Sequence, residues 1–63
     1  GCQMKVGDLV KSKRLSGRVG ILIAPARTAH EWASEYDWLV RFSGLDELHL
    51  EQGIQLEVIN ESR

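Results

Sequence analysis

The apolar residues of this chain fall into five short runs, and this feature limits the possible fold more than any other. In residues 19–24 and 38–42, apolar side chains recur at every second position, which is the period of a β-strand. Further runs at residues 6–11, 48–50 and 56–59 are bounded by Gly, Ser, Asn and Asp, which favour turns. The pattern therefore predicts five strands and an all-β fold.

Five short strands in so short a chain can hide the edges of their sheet only by curling, so we predict a small five-stranded SH3-like barrel. Gly20 interrupts the second run, and its lack of a side chain suits a bend or the close approach of another backbone. Leu22 and Ala24 occupy the second face of that strand, which we expect to be buried on both sides. The side chains predicted to point inward are apolar and come from all five runs. They are Val6, Val10, Val19, Ile21, Ile23, Val40, Phe42, Leu48, Leu50, Leu56 and Val58.

Residues 25–37 form a long loop in which Pro25 ends the second strand and a short helix is predicted. Thr28 and Glu31 fit a capping box, in which each side chain satisfies a backbone N–H at the start of a helix. Apolar side chains then recur at the spacing of one helical face over about two turns. They are Ala29, Trp32, Ala33 and Tyr36.

The chain has 63 residues, which leave room for one domain, predicted to span residues 4–60. We expect residues 1–3, which precede Met4, to be disordered or foreign to the natural chain. Cys2 is the single cysteine and cannot form an internal disulfide, and with two histidines it provides too few ligands for a structural zinc site. Ordering the chain opposes folding by about 1.5 kcal/mol per residue, and in so small a core the burial of apolar side chains barely offsets this cost. We therefore expect the chain to self-associate.

Charge is distributed unevenly along the chain. Residues 1–30 carry six Lys or Arg against one Asp, a net charge of +5, whereas residues 31–63 carry two Arg against eight Asp or Glu, a net charge of −6. The cations of the first half are candidate phosphate contacts, and nucleic-acid binding is an alternative function. An overall pI of about 6.1 argues against it, because nucleic-acid-binding domains of this size are normally basic. The candidate nucleic-acid-binding residues are Lys11, Lys13, Arg14 and Arg18.

Several short words of the sequence resemble those of small SH3-like barrel proteins encoded by phages and bacteria. The words are VGDLV at residues 6–10, GRVGILI at residues 17–23, WLVRF at residues 38–42 and LEVI at residues 56–59. The resemblance covers most of residues 4–60. It implies a binding or assembly module, because SH3-like barrels mostly recognise peptides or nucleic acid with their loops.

The opening GDLV at residues 7–10 and the ending LEVIN at residues 56–60 are also similar to those of plasmid-borne type II dihydrofolate reductases. That family resemblance implies a tetramer with a central pore lined by a VQIY word, for which this chain has LHLE at residues 48–51. His49 replaces the Gln and Glu51 the Tyr, so the amide and phenol that hold folate and the nicotinamide cofactor are absent. A ring of carboxylates would also repel anionic ligands. These departures argue against the enzyme.

Large aromatic side chains lie in and beside the long loop, where they are suited to anchor a peptide or a stacked base. In a second interpretation, Trp38 belongs to the strand core and the other aromatics pin the loop to the barrel. We expect the rings to supply buried area and guanidinium groups to orient an acidic or phosphate-bearing partner. The predicted partner-binding residues are Trp32, Tyr36, Arg27 and Arg41.

The expected function is that of a non-enzymatic protein-interaction or assembly module, from a phage or mobile element, that acts in the cytoplasm. The expected partner is another protein or a second copy of the chain, with no membrane contact. His30 and His49 have no Ser, Cys or Asp at a catalytic spacing, and we expect His49 on the outer face of its strand. No Gly-rich phosphate loop or nucleophile motif occurs, so no catalytic residue, cofactor or metal ligand is predicted.

Overall fold

The computed structural model describes residues 4–29 and 35–60, and this part of the chain is mostly β-structure. Its elements are β1 (Leu9–Ser12), β2 (Arg18–Pro25), α1 (Ala26–Ala29), β3 (Trp38–Phe42), β4 (Leu48–Glu51), a 3-10 turn (Gly53–Gln55) and β5 (Leu56–Asn60). The prediction of an all-β fold with five short strands is confirmed. The predictions made for residues 1–3, His30, Glu31, Trp32 and Ala33 lie outside the described residues.

The five strands form one antiparallel sheet in the order β4-β3-β2-β1-β5. Strands β4 and β5 are the two edges of this open sheet, and the 3-10 turn connects them. Beyond the end of β1, Lys13 donates its backbone N–H to the carbonyl of Gln55 (2.8 Å), and Arg14 contacts Glu51 at the end of β4. The sheet therefore bends until its far edge meets the loop after β1, in the predicted SH3-like arrangement.

The core lies inside this bend. Its buried cluster consists of Val10, Leu22, Val40, Phe42 and Leu56, and Met4, Leu15, Trp38, Leu45 and Val58 pack against it. The predicted inward orientation of Val10, Val40, Phe42, Leu56 and Val58 agrees with this cluster. Val6 does not belong to it: the residue is exposed, because residues 6 and 7 form a turn and β1 begins only at Leu9.

The structure reverses the predicted faces of β2. Leu22 is buried and pairs with buried Val40, whereas Val19 and Ile23 are exposed and Ile21 is half-buried. The prediction that Val19, Ile21 and Ile23 point inward is wrong, as is the prediction that β2 is buried on both sides. A period of two separates two faces without saying which one is the core, and a shift of one residue exchanges them.

Strand β4 is reversed in the same way. His49 pairs with buried Val40, and Glu51 pairs with Trp38, so His49 and Glu51 share the inner face. Leu48 and Leu50 lie on the outer face, where Leu48 is exposed. The predictions that these leucines point inward and that His49 points outward are both wrong, because the pairing register with β3 overrides the polarity of the individual residues.

Helix α1 begins directly after β2, ahead of the predicted N-cap Thr28. Thr28 is its third residue and is therefore not the N-cap: its hydroxyl donates to the carbonyl of Pro25 at 2.7 Å. Such a bond from a Ser or Thr back to a preceding carbonyl competes with the capping role. Tyr36 lies in the irregular segment that leads into β3, not in a helix.

Candidate functional site

Tyr36 stands between two neighbouring cavities on the surface, and 40% of the residue is exposed. The first cavity, of about 450 Å³, is lined by Pro25, Arg27, Tyr36, Asp37 and Trp38. The second, of about 300 Å³, is lined by Arg14, Tyr36, Leu50, Glu51, Gln52 and Gln55. Because the two cavities share Tyr36, we treat them together and call them the Tyr36 groove.

The long loop leaves and rejoins the sheet at one point, and this positions Tyr36. Pro25, the last residue of β2, pairs with Trp38, the first residue of β3. On the loop side of this pair, fully buried Ala26 donates its backbone N–H to the carbonyl of Asp37 (3.0 Å). Asp37 in turn donates its N–H to the carbonyl of Glu51 (3.0 Å). The backbone on the C-terminal side of Tyr36 is thus held between two strands.

Two further hydrogen bonds attach the loop to the 3-10 turn. The carboxylate of Asp37 accepts a bond from the backbone N–H of Gly53 (2.6 Å), and Gln52 donates from its side-chain amide to the carbonyl of Glu35 (3.3 Å). The Asp37 carboxylate thereby satisfies the backbone N–H of the first residue of the 3-10 turn. These contacts connect the walls of the groove on both sides of Tyr36.

An ion pair forms the floor of the second cavity. Arg14 donates from both Nε (3.2 Å) and Nη2 to the two oxygens of Glu51, whose side chain is buried while that of Arg14 is half exposed. These hydrogen bonds, and then the negative charge of Glu51, raise the pKa of the Arg14 guanidinium above its ordinary value. The positive charge of Arg14 is therefore balanced by the carboxylate of Glu51 in the same domain.

The structure brings together only some of the predicted partner-binding residues. Arg27 and Tyr36 line the same cavity, and half-buried Trp38 both lines that cavity and packs against the core, so the two interpretations of Trp38 are compatible. Arg41 lies elsewhere, in a separate cavity of about 490 Å³ on the outer face of the sheet. Trp32 lies outside the described residues.

The candidate nucleic-acid-binding residues are partly occupied by contacts within the domain. Arg14 binds Glu51, and Arg18 donates from Nη1 to the carbonyl of Ser43 (2.8 Å). Lys11 is exposed, and its strand partner across β1 and β5 is Glu57. Two of the four cations that could contact successive phosphates are therefore already bound to groups of the domain itself.

The inner face of β4 carries two polar side chains, His49 and Glu51, that the sequence did not predict there. The ring of His49 lies 5.7 Å from that of Phe42 between centroids, and its Nδ1 is buried without a hydrogen-bond partner among the described residues. Glu51 at the next inward position is 2% exposed, and its carboxylate is bound by Arg14. The alternation of Leu and polar residues in β4 predicts two faces, but nothing in it indicates that the polar one is inside.

Fold and groove together define a small all-β domain with a surface groove that has aromatic side chains in its walls. Comparisons with protein-family models, with curated proteins and with solved structures find no match for this chain. Among residues 4–29 and 35–60, no group of three or more His, Cys, Asp or Glu is arranged to hold a metal ion. The same residues contain no helix long and apolar enough to span a membrane.

Proposed function

We propose that this chain is a non-enzymatic protein-interaction module of the cytoplasm that binds a partner segment in the Tyr36 groove. The observation that carries the proposal is the pair of cavities meeting at a half-exposed tyrosine whose backbone is held in place on both sides. Concave sites with aromatic walls are the usual setting for the few side chains that dominate binding energy.

The chemistry of the walls suggests the chemistry of the partner. Tyr36 and Trp38 offer ring surface to an apolar side chain of the partner, and exposed Arg27 lies on the rim of the same cavity. The charge of Arg14 is already compensated by Glu51, so an acidic group of the partner is expected to pair with Arg27 instead. The preferred ligand is therefore an extended segment with a large apolar residue next to Asp or Glu.

A selection from a library of random peptides on the immobilised chain tests this proposal. We expect the enriched peptides to combine an aromatic or aliphatic residue with a neighbouring acid. Tyr36→Ala is expected to weaken their binding about tenfold or more, because truncating a central aromatic anchor removes at least ~1.4 kcal/mol of binding free energy. Fluorescence polarisation with a labelled peptide measures the change in Kd.

Val6→Ala is the matched control, since Val6 is exposed but lines none of the three cavities. It is expected to bind the selected peptides as the unmodified chain does, and both variants should keep the β-sheet circular dichroism spectrum. A selection that enriches no peptide contradicts the proposal. Peptides that bind the Tyr36 variant and the unmodified chain with equal affinity contradict it as well.

A further inference from the structure

Strand β4 is an edge of the sheet, and its free side borders the Tyr36 groove. It is the last strand in the order β4-β3-β2-β1-β5, so β3 is its one neighbour among the described strands. Leu50 of the outer face and Glu51 of the inner face both line the second cavity of the groove, whereas no residue of the fully described β3 lines it. A cavity that reaches both faces of β4 but not β3 lies along the open edge of β4.

The backbone groups on this open edge belong to Leu48 and Leu50. Glu51 accepts a hydrogen bond at its carbonyl from the N–H of Asp37, the residue before β3, so its backbone groups point toward β3. The direction alternates from residue to residue along a strand, which turns the backbone groups of Leu50 and Leu48 to the open side. In the described part of the chain, no hydrogen bond reaches these two leucines from that side. Each leucine therefore offers one N–H and one carbonyl oxygen to an added strand.

The regularity of β4 suits it to accept a strand better than the opposite edge, β5. The pairing of β4 with β3 runs without a register shift, whereas the pairing of β5 with β1 is shifted between Leu9 and Val10. Bulges and prolines are devices that keep strand edges from pairing, and residues 48–51 contain neither. Binding of an added strand draws its affinity from main-chain hydrogen bonds, and a neighbouring pocket for a side chain gives specificity. The edge of β4 and the Tyr36 groove supply these two elements side by side.

The two ends of this surface carry opposite charges. Exposed Arg27 lies on the rim of the groove, and at the other end exposed Asp46 and Glu47 immediately precede β4. Arg41 lines a cavity with Asp46, which leaves this end net negative through Glu47. Glu47 precedes Leu50 by roughly 10 Å along the strand at ~3.3 Å per residue. We therefore expect a partner segment with Asp or Glu at the groove end and Lys or Arg at the other end.

We propose that the partner segment binds as an added strand on the open edge of β4, with its backbone paired with Leu48 and Leu50 and an apolar side chain in the Tyr36 groove. This rests on the proposed function of the groove and specifies the conformation of the partner. The affinity then depends on the N–H group of every second partner residue. Such a dependence distinguishes an added strand from a segment that is held by its side chains alone.

A scan of N-methylated peptides tests the proposal on the unmodified chain. Each backbone N–H of a peptide selected for binding is replaced in turn by N–CH3, and fluorescence polarisation measures the change in Kd. We expect two positions, separated by one residue, to lose affinity about tenfold or more, because the methyl group removes a donor to Leu48 or Leu50. Methylation of the residue between them is the matched control. It should leave Kd nearly unchanged, since that N–H points away from β4.

The variant Leu50→Pro tests the same pairing from the side of the protein. It removes the N–H that Leu50 offers to the partner, and proline is accepted in an edge strand where the N–H faces outward. Leu50→Ala is the matched control, because it shortens the same side chain and keeps the N–H. We expect Leu50→Pro to bind the selected peptides about tenfold or more weakly than Leu50→Ala does, with the same circular dichroism spectrum.

Two results would overturn the added strand and leave the proposed function of the groove standing. The first is a peptide that needs Tyr36 for binding but shows no alternation in the N-methyl scan. The second is equal binding by folded Leu50→Pro and by Leu50→Ala. If Leu50→Pro does not fold, the scan decides, because it leaves the protein unchanged. A selection that enriches no peptide contradicts the proposed function itself, and the added strand with it.

Discussion

Gly20→Ala is expected to be the most damaging single substitution among those considered for this chain. A Cβ at this position would lie 2.7 Å from Cδ1 of Phe42, 2.8 Å from Cγ1 of Val40 and 2.9 Å from the carbonyl oxygen of Arg41. The first two atoms belong to buried core residues, and the third is backbone of the adjoining strand β3. None of the three can move without disturbing the core or the hydrogen bonds between β2 and β3.

The expected loss in the free energy of unfolding is about 3 kcal/mol or more, the upper range for overpacking a core. The alanine also restricts the unfolded chain, but that effect favours folding by only about 0.4–1 kcal/mol. A domain of this length has a total stability of roughly 3–9 kcal/mol. The substitution therefore removes about a third or more of it, and we expect the midpoint of unfolding to fall to a clearly lower denaturant concentration.

Guanidinium chloride titration followed by tryptophan fluorescence measures this loss, with Gly7→Ala as the matched control. Gly7 has a φ of +96°, and a Cβ added there would meet no atom within 4 Å, so alanine at this position is strained but not crowded. We expect the control to lose about 1–2 kcal/mol. A midpoint for Gly20→Ala as high as that of the unmodified chain would show that the core yields easily at this point.

Arg14→Met is expected to have the second largest effect, because it leaves a buried carboxylate without its cation. The Glu51 side chain is 1% exposed and accepts two hydrogen bonds from Arg14. Removing one partner of a buried ion pair typically destabilises by about 3–5 kcal/mol. Arg14 is half exposed, so water can partly replace it. We therefore expect a loss of about 2 kcal/mol in the free energy of unfolding.

Glu51→Gln removes the negative charge of the pair instead. Its expected loss in the free energy of unfolding is smaller, about 1 kcal/mol. The amide oxygen still accepts a hydrogen bond, and the Arg14 guanidinium can turn toward solvent. The double variant Arg14→Met, Glu51→Leu is expected to recover most of the stability lost in Arg14→Met, because it buries no charge. Urea titrations of the three variants measure this order. If Arg14→Met proves no less stable than Glu51→Gln, the carboxylate does not depend on Arg14.

Strand positions were predictable from the sequence because they follow from local spacing. The observed bounds of β3 coincide with the predicted residues 38–42, and β2 extends the predicted residues 19–24 by one residue at each end. The suitability of Gly20 for a close backbone approach is also confirmed, since the carbonyl oxygen of Arg41 leaves no room for a side chain there. The positions of strands require knowledge of only a few neighbouring residues.

The faces of the strands were not predictable in the same way. Ile21 and Ile23 are as apolar as Leu22, and no local property of β2 says which set faces the core. The choice depends on Gly20, which occupies the inner face opposite Phe42 and leaves space for that ring. Phe42 and Gly20 are far apart in the sequence, so the residue pattern of neither strand indicates that they pack together.

The candidate site, too, was only partly predictable from the sequence. The residue pattern alone predicted the long loop as the place for a partner, and two of the four residues named for it, Arg27 and Tyr36, line one cavity in the structure. The bend of the sheet was needed to separate Arg41 from them and to bring Arg14 to Glu51, 37 positions along the chain. Spacing along a chain specifies strands and turns because these are local. Core faces, ion pairs and grooves depend on strand register and sheet curvature, which arise when distant segments pack together.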